Sequence, residues 1–457
     1  MPGLKRDPIE ELTAAWKAHG DVTRLRLGPP VLGHVGHLLV HPDHVEHVLV
    51  RRAANYQLSA AYEVLGDFLG DGLLTSHGAA WKEHRRLAQP SFAPSRLVGM
   101  TPVFVEAAQA ASIRLTERDG EPIELGQEMA RLTLDAVGRT LFGACLSDEA
   151  TRVAPALRVV QEFAIHSIYS GHQKSLRALT RLAPTTRARR YRAAVGTLDA
   201  VVNRLIAERR RGGTVEDDLL GRLIASTSRD ATGDRAVRDE TMTFLLAGHE
   251  TTASALTWTL ALLSRHVEAR ERVHAELDAV LGGRPPTQAD LPDLPVLAAV
   301  VKESLRLFPP AWTIERRADG DDTIGGYDIP AGSTVILSPY LTHRHPDFWD
   351  EPEDFRPDRW LEPDARRPRS AYVPFGAGAR QCIGGAFAML EAQLMLATLM
   401  QCVQVDLLPG QASRPTAEVT LTSGAGLAAR VQIKRPGGIF HQPLRQPTDR
   451  SPLHKPA

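Results

Sequence analysis

The sequence predicts a mainly α-helical fold with small β-sheets, an α+β arrangement in one large domain. Apolar residues recur with a helical period from Pro42 to about Leu281, and short runs rich in β-branched residues lie on either side of this region. No linker rich in proline, glycine or serine and no internal repeat divides the 457 residues. We therefore expect one domain over residues 1–434, followed by a disordered tail over residues 435–457 that is rich in proline, arginine and histidine.

The first predicted elements are an amphipathic helix within Met1–Gly20 and two strands, Val22–Leu27 and Gly33–Val40, which would form a small N-terminal sheet. Glycine- and proline-containing breaks then divide a long helical region. Within it, Asp239–Arg265 is predicted to be one helix of about 40 Å, because each residue adds about 1.5 Å.

Short strands return after Pro309, notably between Gly325 and Val335. An irregular stretch from His343 to Pro374 follows and leads into a loop that contains a cysteine. A stretch of this length without regular structure is usually functional in a compact domain.

Charge and cysteine content exclude several classes of function. Lysine plus arginine equals aspartate plus glutamate, at 54 each, so no overall field favours nucleic acid or an anionic membrane. Three cysteines without framework spacing fit a reducing compartment. The N-terminus lacks the apolar core of a signal peptide, and no apolar run reaches the roughly 20 residues that span a bilayer. We expect a soluble, cytoplasmic monomer without a transmembrane segment.

Cys382 lies immediately before the helical run Ala386–Met400. Free N–H groups and the positive end of the helix dipole favour the thiolate, which is the form that binds metals. Arg380 can place a fixed positive charge beside a carboxylate such as a haem propionate. Four glycines would permit a tight turn and leave room for a flat cofactor close to the main chain: Gly376, Gly378, Gly384 and Gly385.

The segment Phe375–Gly384 matches F-x-x-G-x-R-x-C-x-G at every fixed position and therefore resembles the cytochrome P450 superfamily. This context disfavours the alternative that Cys382 is a small buried side chain without a ligand. The resemblance implies the P450 fold and haem b as cofactor, with Cys382 as the axial ligand of the iron. The other residues it implies as cofactor contacts in this loop are Phe375, Gly378, Arg380 and Gly384.

A second motif lies near the middle of the predicted long helix. A glycine here costs up to about 1 kcal/mol relative to alanine, so Gly248 indicates either a local opening of the helix or a close helix crossing. The segment Ala247–Thr252 resembles the A/G-G-x-D/E-T-T pattern of the family's oxygen-binding helix. The resemblance implies that Glu250 and Thr251 are the catalytic residues that deliver protons.

Glu303 and Arg306 lie at positions i and i+3 of one helical face. Alone, such a pair is usually a surface ion pair. Upstream of Phe355–Trp360 it resembles the family's buried network beneath the haem, which implies a third member, Arg359. For the haem propionates, the resemblance implies Trp81, Arg85 and either Arg316 or Arg317, of which Arg316 is favoured.

The resemblance also implies which segments line the substrate pocket. They are mostly apolar, so we expect a hydrophobic substrate of terpenoid, steroid, fatty-acyl or polyketide type. The segments are 58–74, 163–169, 311–314 and 424–427, and the individual residues are Phe244, Ala247, Gly248, Trp312 and Thr313.

Monooxygenation is the activity that the resemblance implies. One atom of O2 enters the substrate, and NAD(P)H-derived electrons arrive from a ferredoxin or flavodoxin with its reductase. A peroxide-driven peroxygenase and a non-catalytic haem sensor are the alternatives. We expect an acidic redoxin to dock on a basic patch that comprises Lys82, Arg86, Arg366, Arg367 and Arg369.

Overall fold

The computed structural model confirms a mainly helical chain with small sheets. It describes residues 7–27, 34–169, 185–212, 217–228, 230–362, 367–411, 414–424 and 426–434; the predicted tail, 435–457, lies outside this part of the chain. The α-helices are α1 (Pro8–His19), α2 (Pro42–Glu46), α3 (Ala60–Leu69), α4 (Gly78–Ala88), α5 (Pro94–Glu117), α6 (Leu125–Leu141), α7 (Ala150–Tyr169), α8 (Thr186–Arg211), α9 (Leu219–Ser226), α10 (Ala231–Arg265), α11 (Val267–Leu281), α12 (Pro295–Leu307), α13 (Pro339–Thr342) and α14 (Gly385–Cys402).

The long helix α10 begins eight residues earlier than predicted. Asp230 caps it by accepting hydrogen bonds from the N–H groups of Thr232 and Gly233. The first two turns are polar, so the apolar periodicity that marks the rest of the helix starts only near Asp239. With 35 residues, α10 is roughly 52 Å long.

The predicted N-terminal strands belong to a larger sheet. Strand Val22–Leu27 agrees with its prediction, and His34–Leu39 replaces the predicted Gly33–Val40. The strands are β1 (Val22–Leu27), β2 (His34–Leu39), β3 (Tyr56–Leu58), β4 (Pro122–Glu124), β5 (Ile314–Ala318), β6 (Asp322–Ile324), β7 (Tyr327–Ile329), β8 (Thr334–Leu337), β9 (Val403–Leu407), β10 (Thr416–Ala417), β11 (Leu421–Thr422) and β12 (Ala428–Ile433).

The main sheet has the order β1-β2-β8-β5-β3, with β2 and β8 parallel and the other neighbours antiparallel. It thus unites the N-terminal strands with those after Pro309. Strands β4, β12 and β9 form a second sheet, while β6–β7 and β10–β11 are hairpins. These hairpin strands are only two or three residues long, too short for an alternating pattern to predict all of them.

Helices α5, α6, α10 and α14 share one apolar core. Phe104 of α5 meets Phe387 of α14 edge to face at 5.1 Å between ring centroids. Within the described residues, α14 is the one helix long and apolar enough to cross a bilayer, yet 61% of it is buried in the protein. Its apolar composition is that of a core helix.

Candidate active site

The cysteine loop is closed by its own backbone. The Cys382 N–H donates to the Phe375 carbonyl at 2.9 Å, and α14 begins three residues later. Gly378 has φ +70°, and a Cβ there would lie 2.0 Å from the Leu49 carbonyl oxygen. Gly378 therefore seats the loop against residues 49–50 and does not line the cavity described next, contrary to the expected cofactor contact.

A cavity of about 450 Å³ lies between this loop and α10. Its wall is formed by α3, α4, α7, α10, the segment before β5, the cysteine loop and the tip of the β10–β11 hairpin. The predicted site residues that line it are Trp81, Arg85, Phe244, Ala247, Gly248, Glu250, Thr251, Trp312, Thr313, Arg316, Phe375, Arg380, Cys382 and Gly384.

Three arginines on this wall lack a carboxylate partner. In the described chain, none of Arg85, Arg316 and Arg380 forms an ion pair. Burial, followed by the charges of Arg316 and Arg85, lowers the pKa of Arg380 to about 10. Arg317 instead points outward and lies 3.5 Å from Asp319. The three guanidinium groups thus suit a ligand with more than one acidic group, and Arg316 is the better placed of the two candidates.

The donor set of this wall fits haem. Cys382 offers a sulfur ligand, the arginines suit the two propionates, and a Cβ on Gly384 would reach to 4.0 Å from the Cys382 sulfur. Burial raises the pKa of the Cys382 thiol, against the N–H of Gly384 and the charge of Arg85. This direction is opposite to the one expected from the helix terminus, and a coordinating metal ion would hold Cys382 as the thiolate.

On α10, the Thr251 hydroxyl lines the cavity and donates to the Ala247 carbonyl at 2.8 Å. The helix is uninterrupted at Gly248, where a Cβ would lie 3.1 Å from Val137 Cγ2 of α6. Gly248 therefore permits a close helix crossing, which was the simpler of the two interpretations.

The Glu250 carboxylate is held away from Thr251 by two other elements. It accepts hydrogen bonds from Gln161 Nε2 of α7 at 2.5 Å and from Thr420 Oγ1 of the hairpin at 3.0 Å. Burial raises its pKa, while these two donors and Arg158 act against the rise. The sequence analysis identified Glu250 but neither of its partners.

The sequence analysis also missed two carboxyls near Thr252 and Glu250, namely Glu391 and Glu418. Glu391 of α14 is 0% exposed, and neither of its oxygens has a hydrogen-bond partner of good geometry in the described chain. Burial raises its pKa to about 8, with the Thr252 hydroxyl acting against the rise. Glu418, at the hairpin tip, lines the cavity. Burial and the neighbouring Glu250 raise its pKa to about 7.

The predicted network of Glu303, Arg306 and Arg359 forms behind the cysteine loop. Arg306 donates to both Glu303 oxygens at 3.0 and 2.8 Å, and Arg359 Nε donates at 3.0 Å. Trp360 Nε1 and the Arg356 N–H complete the shell of Glu303 at 2.8 and 3.0 Å. Burial alone would raise the pKa of Glu303, but these partners lower it, so the carboxylate stays charged.

His343, which the sequence analysis did not single out, connects this network to the cysteine loop. Its Nδ1–H donates to the Arg306 carbonyl at 3.2 Å, and its Nε2 accepts from the Val373 N–H at 2.8 Å. Burial lowers its pKa to about 3, so the ring is neutral and keeps these two distinct roles. Val373 precedes Phe375 by two residues.

The predicted pocket segments need two changes. Residues 418–420 line the cavity, whereas the described residues of the predicted segment, Gly424, Gly426 and Leu427, do not, and Leu427 donates its N–H to Glu124. In the segment 163–169, Ile165 and Ile168 line the cavity, while Phe163 stacks on Tyr191 in the core. Trp312 is 2% exposed, and its Nε1–H donates to the Glu418 carbonyl at 2.9 Å. Only an edge of its ring therefore lines the cavity.

Comparison with known proteins agrees with this geometry. The family model "Cytochrome P450" matches residues 2–428. A structure titled "Crystal structure of cytochrome P450DA heme domain" superposes with a TM-score of 0.81 at 28% identity, and the match covers 94% of each chain.

Curated relatives match at higher identity. Cyclooctatin synthase of Streptomyces melanosporofaciens is 37% identical over 92% of this chain and 90% of its own length. Pentalenene oxygenase of Streptomyces avermitilis is 35% identical over 95% of each chain. Cyclooctat-9-en-7-ol 5-monooxygenase of Streptomyces melanosporofaciens is 36% identical over 89% of this chain and 87% of its own length.

Proposed function

Because the chain belongs to the cytochrome P450 family and is a monooxygenase of that family, we propose that it oxygenates a terpenoid-type substrate with electrons from a separate redoxin. One observation carries this proposal. A single, mostly apolar cavity contains Cys382, the three unpaired arginines and the Glu250–Thr251 pair. Such a cavity combines ligation, anion binding and proton supply at one place.

The cofactor, when bound, supplies oxygen activation and insertion into a C–H or C=C bond. The residues of the chain bind the cofactor and transfer protons. Cys382 is the iron ligand, while Arg85, Arg316 and Arg380 neutralise the propionates. Thr251 positions a hydroxyl in the cavity. Glu250 donates a proton to replace the one that the Thr251 hydroxyl gives up.

A terpenoid substrate is favoured by two observations. The part of the cavity wall formed by α3, α7 and α10 is largely aliphatic and aromatic. Its residues include Leu65, Phe68, Ile165 and Phe244, and such a surface suits a bulky hydrocarbon. The similar proteins cyclooctatin synthase and pentalenene oxygenase carry names that refer to terpenoid products or substrates.

For the electron donor, a ferredoxin or flavodoxin remains our proposal, with a smaller docking patch than the sequence suggested. Arg367 lies 4.1 Å from the Trp349 ring centroid, and Arg86 pairs with Glu83 at 2.6 Å. Arg366 lies outside the described residues. Lys82 and Arg369 are exposed, and we assign docking to them.

The proposal is tested with purified haem-loaded protein, NADPH, a ferredoxin and its reductase. Candidate terpenoids, steroids and fatty acids are compared by the shift of the haem spectrum on binding and by the products formed. We expect terpenoids to give both the shift and an oxygenated product, with Cys382→Ser as the inactive control. A product formed only with hydrogen peroxide would indicate a peroxygenase, and a shift limited to steroids or fatty acids would refute the substrate class.

A further inference from the structure

The tip of the β10–β11 hairpin places a second carboxyl beside Glu250. Glu418 is held by its backbone: its N–H donates to the carbonyls of Thr416 and Thr420 at 3.2 and 3.1 Å, and its carbonyl accepts from Trp312 Nε1 at 2.9 Å. Glu418 lines the cavity, and none of the described residues forms a hydrogen bond with its carboxyl. The backbone is therefore fixed while the acid group is free to exchange a proton.

The same hairpin contacts Glu250 directly. Thr420, two residues beyond Glu418, donates its hydroxyl to Glu250 Oε1 at 3.0 Å. The hairpin is anchored to α10 by Ser254, whose hydroxyl donates to the Leu421 carbonyl at 2.5 Å. The hairpin thus holds the backbone of Glu418 next to the helix that carries Glu250.

Three charged groups of the described chain face Glu418. They are Glu250 of α10 together with Arg158 and Glu162 of α7, and the last two are exposed at the surface. The negative charge of Glu250 disfavours ionisation of Glu418, in addition to the effect of burial. Burial and this charge raise the pKa of Glu418 to about 7.

We propose that Glu418 is the residue through which solvent protons reach Glu250 during oxygen activation. Glu418 gives its proton to the Glu250 carboxylate after Glu250 has delivered its own towards Thr251, and water beside Arg158 and Glu162 then reprotonates Glu418. No electron or other reactant is needed for this step. The inference rests on the proposed monooxygenase activity and adds a residue that the family motif does not contain.

The first test does not depend on turnover. Infrared difference spectra of the haem-loaded protein, recorded across pH 5–9, report the protonated carboxyl band. In the background of Glu391→Gln, which removes the carboxyl that titrates near pH 8, we expect a band that disappears as the pH rises through about 7 and is absent once Glu418→Gln is added. In Glu250→Gln the band should titrate at lower pH, because removal of the neighbouring negative charge favours ionisation. An unchanged titration in Glu418→Gln would overturn the assignment.

The second test measures product per NADPH. We expect Glu418→Gln to lower this ratio about tenfold, Glu418→Asp to restore part of it, and the Glu250→Gln Glu418→Gln double variant to match Glu250→Gln alone, as for two groups on one proton route. Glu117→Gln, an exposed carboxyl at the end of α5 that does not line the cavity, is the matched control and should retain the wild-type ratio.

Other results would overturn the relay. If the fold losses of product per NADPH in the two single variants multiply in the double variant, Glu250 and Glu418 lie on separate proton routes. A loss of substrate affinity in Glu418→Gln with an unchanged product ratio would make Glu418 a substrate-binding residue. If no terpenoid is oxygenated but the infrared titration behaves as expected, the interaction between Glu250 and Glu418 is supported and the proposed terpenoid substrate class is refuted.

Discussion

Buried carboxyls on the two sides of the cysteine loop are treated in opposite ways. Glu303, behind the loop, is 0% exposed, and its oxygens receive hydrogen bonds from Arg306, Arg356, Arg359 and Trp360. Glu391 is equally buried, yet its oxygens lack partners of good geometry among the described residues. The pKa of Glu303 is lowered and that of Glu391 is raised to about 8.

The difference distinguishes a carboxylate that supports the cysteine loop from carboxyls that can transfer protons. A carboxylate with a full set of donors keeps its charge and its position, so it can hold a loop in place. A carboxyl with unfilled positions gains or loses a proton near neutral pH, which suits proton transfer. Glu303 belongs to the first kind and Glu391 and Glu418 to the second, while Glu250 has a raised pKa but accepts two hydrogen bonds.

The largest effect is expected from the residue between the two sides. Cys382→Ser should abolish the far-red-shifted Soret band of the reduced carbon monoxide complex, because that band requires a thiolate opposite the gas. The measurement is the difference spectrum of the purified variant. An unchanged band would remove Cys382 from the iron and with it the proposed site.

Breaking the supporting side should cost stability. Glu303→Gln leaves Arg306 and Arg359 buried without their counter-ion, which should lower the free energy of unfolding by about 3–5 kcal/mol. Urea unfolding measures this loss, together with the haem content of the purified protein.

Arg356→Ala is the matched control for Glu303→Gln. Only the Arg356 backbone contacts Glu303, and its side chain pairs with the exposed Glu351. Its effect should stay below about 1 kcal/mol. Equal losses in the two variants would contradict the role of the buried charge.

The supporting side could be predicted because its determinants are local in sequence. Glu303 and Arg306 are three residues apart, and the cysteine loop closes on itself between Phe375 and Cys382. The Glu303–Arg306 pair and the loop are each complete within one segment, whereas Arg359, 56 residues from Glu303, was predicted through the family resemblance. The long irregular stretch before the loop provides Arg359 at a characteristic position.

The proton-carrying side could not be predicted in the same way. Gln161 and Thr420 are 89 and 170 residues from Glu250, and tertiary packing alone brings them together. The strands around Glu418 have two residues each, so no periodicity marks the hairpin. A glutamate in an otherwise apolar helix, Glu391 in α14, was the one available signal.

The variant Glu391→Gln tests the contrast between Glu391 and Glu303 through the pH dependence of the free energy of unfolding. The unfolded chain ionises Glu391 near its usual pKa, whereas the folded chain keeps it protonated up to about pH 8. Between these values the folded state binds more protons, so wild-type stability falls as pH rises and levels off above pH 8.

Glu391→Gln should remove roughly 2–4 kcal/mol of the pH-dependent loss, since one pKa unit corresponds to about 1.4 kcal/mol. The measurement is the free energy of unfolding in urea at several pH values between 5 and 9. Parallel curves for variant and wild type would show that Glu391 titrates normally, and the contrast with Glu303 would then disappear.

The smallest effect in free energy concerns Thr251, where the hydroxyl acts only after the substrate has bound. Thr251→Ala should leave haem content and substrate affinity near wild type while product per NADPH falls about tenfold, equivalent to about 1.4 kcal/mol. Thr257→Ala is the matched control, because the Thr257 hydroxyl makes the same type of bond, to the Ala253 carbonyl at 2.7 Å, away from the cavity. If both variants lose product equally, the helix and not the catalytic hydroxyl is responsible. If Thr251→Ala alone retains full coupling, the proton must reach oxygen by another group, and Glu391, next to Thr252, would be the first to examine.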